Sequence, residues 1–224
     1  MREILQYLAD LNANNNREWY HANKIQYMEA NAAFEQLVAR LLEALVETNG
    51  NLQYRLPKEL TFRLARDMRF SRDKTPFNPS FRAHLSAAGK SIIPVGCFLC
   101  LAPGDRSFLG GGMFASAYKD ATAMIRDYIV LHGEELESIV NAKDFAASFT
   151  VRGEALKNVP RGYDAAHPQA EYLKFKSWYL QYQVSDKLLL SDSFVERAAR
   201  IFRSMKPFND YLNAALQGFK MPMR

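Results

Sequence analysis

The residues with the clearest capacity for chemistry stand together as Arg63-Leu64-Ala65-Arg66-Asp67-Met68-Arg69-Phe70-Ser71-Arg72-Asp73-Lys74-Thr75-Pro76-Phe77. From Arg55 to Arg82 there are eight basic residues and three acids (Glu59, Asp67 and Asp73), an excess equal to the net charge of +5 carried by the whole 224-residue chain. An aspartate between arginines can hold guanidinium groups in fixed geometry by bidentate pairing. Guanidinium groups held in this way match phosphate and carboxylate. Ser71-Arg72-Asp73-Lys74-Thr75-Pro76 is small, polar and turn-prone, and binding residues concentrate on loops carried by a scaffold. The chemistry indicated is anion recognition. Arg66, Arg69 and Lys74 would contact the anion, while Asp67 and Asp73 orient them or act in acid–base or metal roles. The plainer reading of such a charge run is a solvated face with internal salt bridges that tie helices to a sheet.

No other motif competes with this stretch. G-x-x-x-x-G-K-[ST], G-x-G-x-x-G, G-x-S-x-G and H-E-x-x-H are all absent from the sequence. No nucleophile–base pair, metal set or cofactor fingerprint can be read, so neither a reaction nor a cofactor is assigned. Gly110-Gly111-Gly112 lacks the helix-opening context of a phosphate loop and reads as a close backbone approach in a strand; an anion nest of consecutive N–H groups is the functional alternative. Cys97 and Cys100 have C-x-x-C spacing in a stretch rich in strand formers. There, positions i and i+3 face opposite ways, so the pair reads as structural thiols. The four histidines, His21, His84, His132 and His167, are scattered. His167 before Pro168 is either a general acid or base or, more plainly, a hydrogen-bonded histidine at a helix start.

The elements that must position these residues are legible in outline. Ile4, Leu5, Leu8 and Leu11 form a helical stripe. The Asn-rich run from Asn12 to Asn16 interrupts it, and Asn15 or Asn16 caps a second helix opening at Arg17. That helix continues through Val46 with a break expected near Asn31, and Asn49-Gly50-Asn51 is expected to close it as a left-handed cap. Short aromatic or β-branched runs at 61–65, 81–87, 95–101 and 107–114, bounded by Pro or Gly, read as strands, the last two joined as a hairpin through Ala102-Pro103-Gly104-Asp105. Helix resumes with Ser116 as cap and continues at Glu134 to Val140. A further helix opens at Pro168 and runs through Leu173, Phe175, Trp178 and Tyr179. The last helix, 191–216, is kinked at Pro207. The expected fold is α+β: a single helix-rich domain over 1–224 with a central antiparallel sheet of three to five short strands. Residues 1–50 are helical, 52–114 form the sheet region, and 116–224 are helical with an irregular 150–167 segment. The amphipathic N-terminus, with Glu3, Gln6 and Asp10, is no signal peptide, and no run approaches the ~18 apolar residues of a membrane span. A soluble cytoplasmic protein with no membrane partner is expected; a pI of about 9.1 is mildly basic.

Four segments resemble a widespread microbial family, domain of unknown function 2461, in the same order and over nearly the whole chain. They are Asn15-Asn16-Arg17-Glu18-Trp19-Tyr20 with Ala22-Asn23-Lys24; Arg66 through Phe77; Leu109-Gly110-Gly111-Gly112-Met113; and Leu156-Lys157-Asn158-Val159-Pro160-Arg161-Gly162-Tyr163 with His167-Pro168. The resemblance implies one cytoplasmic α+β domain and no settled activity. Where the family pattern places a lysine after the Pro-aromatic pair, this chain carries Asn78. The matching segments are rich in Arg, Lys, Asp, Asn, Gly and Trp, unlike a scaffold signature of periodic aliphatics. Arg17, Trp19, Lys24, Arg66, Asp67, Arg69, Ser71, Asp73, Lys74, Lys157 and Arg161 are therefore expected to converge on one ligand-binding surface, with no metal. Trp19 is either a stacking platform or a core residue. Three functional readings follow: a site for an anionic small ligand, enzymatic or not; a nucleic-acid or protein-partner module using the 55–82 stretch with Trp19, Phe70 and Phe77; or an ion-pair network with a purely structural role.

Overall fold

A computed structural model describes residues 1–69, 71–114 and 118–221. The fold is α+β: one four-stranded antiparallel sheet with helices around it. The strands are β1 (Phe81–Leu85), β2 (Cys97–Leu101), β3 (Ser107–Met113) and β4 (Trp178–Val184), hydrogen-bonded in the order β1-β2-β3-β4. By packing, the chain forms two compact units. The first comprises Met1–Lys90, Phe98–Leu109 and Gln183–Ile201; the second comprises Ser91–Cys97, Gly110–Tyr182 and Phe202–Arg224.

In the first unit, α1 (Arg2–Ala13) buries the expected stripe, with Ile4, Leu8 and Leu11 fully inaccessible. Asn16 caps α2 (Arg17–Ala22): its side chain accepts the Trp19 N–H at 2.8 Å. The break before α3 (Lys24–Leu45) falls at Asn23, not at Asn31. Asn31 sits inside α3, donating to Glu35 Oε1 at 3.0 Å, one turn on, so its polar group has a helical partner and need not end the helix. Phe34, Val38 and Leu41 turn inward, and Phe34 stacks on Phe81 of β1 at 5.1 Å. The left-handed cap at Gly50 is not found. The N–H groups of Thr48 and Asn49 bond back to the Leu45 carbonyl, and Gly50–Leu52 forms a 3-10 turn. Residues 61–65 form no strand of their own, only isolated bridges, Thr61 to Ala83 and Ala65 to Phe77, after the short helix α4 (Pro57–Leu60). The β2–β3 hairpin turns through Gly104 (φ 75°) and Asp105 (φ 58°).

In the second unit, α5 (Lys119–Leu131), α6 (Gly133–Asn141) and α7 (Lys143–Ala146) follow one another; the expected cap Ser116 lies outside the described residues. The segment expected to be one helix through Tyr179 divides into α8 (Ala170–Leu173) and β4, so the stretch 116–224 is not helical throughout and the sheet extends beyond 52–114. Trp178 and Leu180 are buried along the strand, which the alternation of a pleat allows and a helix at that spacing would not. The chain continues through α9 (Asp186–Leu189) into α10 (Phe194–Ala215), which contains Pro207. Asn209, 6% exposed, accepts the Gly112 N–H at 2.7 Å and donates to the Gly96 carbonyl at 3.3 Å. The glycine triplet is thus a close backbone approach, with the Gly112 N–H already partnered.

Gly112 has φ +86°, and a Cβ there would lie 2.4 Å from the Trp178 carbonyl oxygen. Gly112→Ala is expected to destabilise the protein by at least ~2 kcal/mol, since neither the backbone angle nor the neighbouring strand can relax cheaply. Urea denaturation measures the difference.

Candidate functional site

The charged motif is the tip of an irregular hairpin. Its base is closed by backbone bonds from Arg66 N–H to the Pro76 carbonyl at 2.9 Å and from Asn78 N–H to the Leu64 carbonyl at 2.8 Å. Asn15 clamps the returning arm: it donates to the Phe77 carbonyl at 2.9 Å and accepts the Phe77 N–H at 3.1 Å. Phe77 is buried and stacks on Tyr20 at 4.4 Å, so the aromatic after Pro76 anchors the loop instead of presenting a contact surface. Asn78, in place of the family lysine, accepts from Ser80 Oγ at 2.7 Å.

Within the loop, Arg66 is the hub. Its guanidinium pairs with Asp73, donates to Thr75 Oγ1 and to the Thr75 carbonyl, and reaches Ser71 Oγ at 3.4 Å. Asp73 also accepts the Thr75 N–H at 2.9 Å. That backbone bond, then Arg66 and the Thr75 hydroxyl, hold the Asp73 carboxyl down at about 2. Asp67 is occupied by Arg69, whose Nε and Nη2 donate to it at 3.0 and 2.6 Å and whose backbone N–H adds a third bond; these bonds hold its carboxyl below the usual range. The side chains of Arg66 and Asp73 are 27% and 58% exposed. The ion-pair network faces solvent, where such pairs add little to global stability.

The sequence-predicted residues fall into three groups. Arg66, Asp67, Arg69, Ser71, Asp73 and Lys74 share the loop. Arg17, Lys74 and Asp73 line one open depression of about 540 Å³ with Asn15, Asn16 and Met68. Lys74 Nζ donates to the Met68 carbonyl at 3.1 Å, which leaves two of its three N–H donors unused. The Arg17 side chain is exposed with no hydrogen bond or ion pair among the described residues. Trp19 is half-buried against Tyr7, ring centroids 5.9 Å apart, and Lys24 is exposed; neither lines the depression. Lys157 and Arg161 are exposed residues of the second unit. Phe70 lies outside the described residues. Two contributors escaped sequence reasoning as site residues: Thr75, which accepts from Arg66, and Asn15, which clasps Phe77. The Asn-rich run and the Thr-Pro pair were the only signals for them.

Elsewhere the plainer readings fit. His167 Nδ1 accepts the Gln169 N–H at 3.0 Å just before α8. Cys97 and Cys100 are free thiols on β2, and burial pushes Cys97 up to about 12 and raises Cys100 as well, which leaves both unreactive at neutral pH. Among the described residues no cluster of three His, Cys, Asp or Glu could hold a metal ion, and no helix is long and apolar enough to cross a membrane.

With fold and site in view, the chain can be placed. The model of the family described as conserved hypothetical protein (DUF2461) matches residues 3–211. The chain belongs to that family, as its four motif segments implied. Neither the curated proteins nor the solved structures contain a match.

A carboxyl whose folded pKa is depressed contributes stability above its unfolded value and loses it as pH falls through the folded one. The Asp73 contribution is therefore expected to be intact above about pH 4 and to disappear toward about pH 2, taking the Arg66 contacts with it. The Thr75 amide resonance should report this titration, and Asp73→Asn should abolish it.

Proposed function

We propose that the 66–76 loop, together with the start of α2, recognises an anionic small molecule bearing phosphate or carboxylate. The observation that carries this reading is that Arg17 and Lys74, with donor capacity unused, line the same open depression. The remaining charges divide the labour. Arg66 is turned inward and acts through the loop: it gathers Asp73, Thr75 and Ser71, so Lys74 is presented from a shaped turn. A binding group held in place before the ligand arrives forfeits less conformational entropy on binding. Asp73 also lines the depression, but its charge is met by Arg66 from within the loop, which leaves Arg17 and Lys74 as the cations facing the depression. Arg69, held by Asp67 and 77% exposed, and Arg72, with no ion pair among the described residues, lie on the same loop and extend its positive surface. Trp19, Lys24, Lys157 and Arg161 stay outside the contact set. No reaction is assigned: the Thr75 hydroxyl donates to Asp73 at 2.9 Å, but that carboxyl is held down at about 2 and is a weak base.

The test is a titration of the purified protein with pyrophosphate and with a dicarboxylate, followed by thermal shift and calorimetry. Lys74→Ala and Arg17→Ala are each expected to weaken the better ligand about tenfold, the equivalent of ~1.4 kcal/mol, without lowering the melting temperature of the free protein. Equal affinity in both variants would remove the proposal.

A further inference from the structure

The sheet of the first unit has two unlike faces. On one, Phe81, Ala83, Leu85, Leu99, Leu101 and Leu109 are at most 1% exposed, the signature of a packed core. The residues between them point the other way. Arg82 of β1, Phe98 of β2 and Phe108 of β3 are half-buried there. Phe62 joins them, because its N–H bonds to the Arg82 carbonyl at 2.9 Å and sets it beside β1. The rings form a continuous row. Phe62 and Phe98 are 6.1 Å apart, and Phe98 and Phe108 are 6.0 Å apart at an interplanar angle of 25°. His84, 7% exposed, supports the row from 6.5 Å.

Arg82 is the anomaly on this face. Its guanidinium lies 5.6 Å over the Phe62 ring, and it donates to the Arg63 carbonyl at 3.2 Å. Its Nε is buried with no partner, and among the described residues no carboxylate pairs with it. A desolvated cation without a counter-ion is costly to maintain, and an arriving anion relieves that cost. Two more arginines stand nearby. Arg63 is exposed and adjoins Phe62; Arg106, also exposed, sits in the β2–β3 turn with its Nε bonded to the Pro103 carbonyl at 2.9 Å. Arg82 belongs to β1 and Arg106 immediately precedes β3, so the two cations come from the strands on either side of β2.

We propose that this aromatic and basic sheet face binds single-stranded nucleic acid, with unpaired bases stacking against Phe62, Phe98 and Phe108 and phosphates lying against Arg63, Arg82 and Arg106. Charge complementarity selects a polyanion, and the row of rings selects one that carries flat π-faces at intervals. An acidic peptide would satisfy the arginines and gain nothing from the rings. A duplex keeps its bases stacked on one another and could not offer them. Partly exposed aromatics on adjacent strands of an antiparallel sheet are a general solution to base stacking, tolerant of sequence because every base has a π-face. The inference is independent of the loop that carries Arg17 and Lys74.

The experiment is fluorescence anisotropy with a labelled oligothymidylate and a labelled oligouridylate of about twelve nucleotides, a length within the range one sheet surface engages. Binding is expected at low salt, with log K falling against log salt at a slope near −2, as three phosphate contacts on a single strand would give. Phe98→Leu, which keeps an apolar side chain but removes the ring, should weaken binding at least about fivefold and leave the slope unchanged. Arg82→Gln combined with Arg106→Gln should flatten the slope by about 1 or more. Circular dichroism and melting temperature establish that each variant is folded; should Arg82→Gln not fold, Phe108→Leu and Arg106→Gln make the same two tests nearer the hairpin turn. Absence of binding at low salt overturns the proposal. So does a folded Phe98→Leu or Phe108→Leu variant that binds like the parent, or equal competition by a duplex of the same length or by polyglutamate.

Discussion

A guanidinium near the base of a surface loop must find acceptors or remain in water, and Arg66 finds them within its own loop. By turning onto Asp73, Thr75 and Ser71 it ties residues five to nine positions apart into one turn. The tip of the loop is shaped by that closure, while Asn15 and the backbone bonds at its base hold the arms. Asp73 faces Arg66 with one oxygen and accepts the Thr75 N–H with the other. Lys74, next in the chain, bridges to the Met68 carbonyl and keeps two donors unused. Every Arg66 side-chain bond runs to a residue of its own loop.

The protein solves a recurrent problem in one recurrent way. Irregular segments leave backbone groups that no ladder satisfies, and asparagine carboxamides, each a donor and an acceptor, stand in for the missing strand. Asn15 takes both groups of Phe77, and Asn213 takes both groups of Val95 at 2.9 and 3.0 Å. Asn209 joins Gly112 to Gly96. A buried peptide group without a partner costs free energy comparable to a lost hydrogen bond, so each carboxamide fixes a segment that regular structure leaves loose. The first serves the loop with the candidate site; the other two serve the second unit.

What could be read from sequence follows from how local each signal is. The α1 stripe, the Asn16 cap and the turn at Gly104 depend on neighbours within a few residues, and they appear where the pattern places them. β4 was hidden because Leu173, Phe175, Trp178 and Tyr179 fit a helical face as well as a strand, and a short apolar run cannot decide between the two periods. The loop's charges were legible as a group, but their division into organisers and exposed cations was not, since it depends on which way each side chain turns. The pairing of Phe98 with Phe108 and of Arg82 with Phe62 lay further out of reach: it exists only once cross-strand register is set.

The central claim is that Arg66 holds the loop in shape and that the exposed cations are presented from that shape. Amide hydrogen exchange across residues 66–76, compared between the parent protein and Arg66→Ala at equal global stability, tests it most directly. The account predicts that the Thr75 and Ser71 amides, bonded to Asp73 and to the Met68 carbonyl, are protected in the parent and exchange far faster in the variant, while α1 and α3 are unchanged. Equal protection of the two amides in both proteins would contradict it.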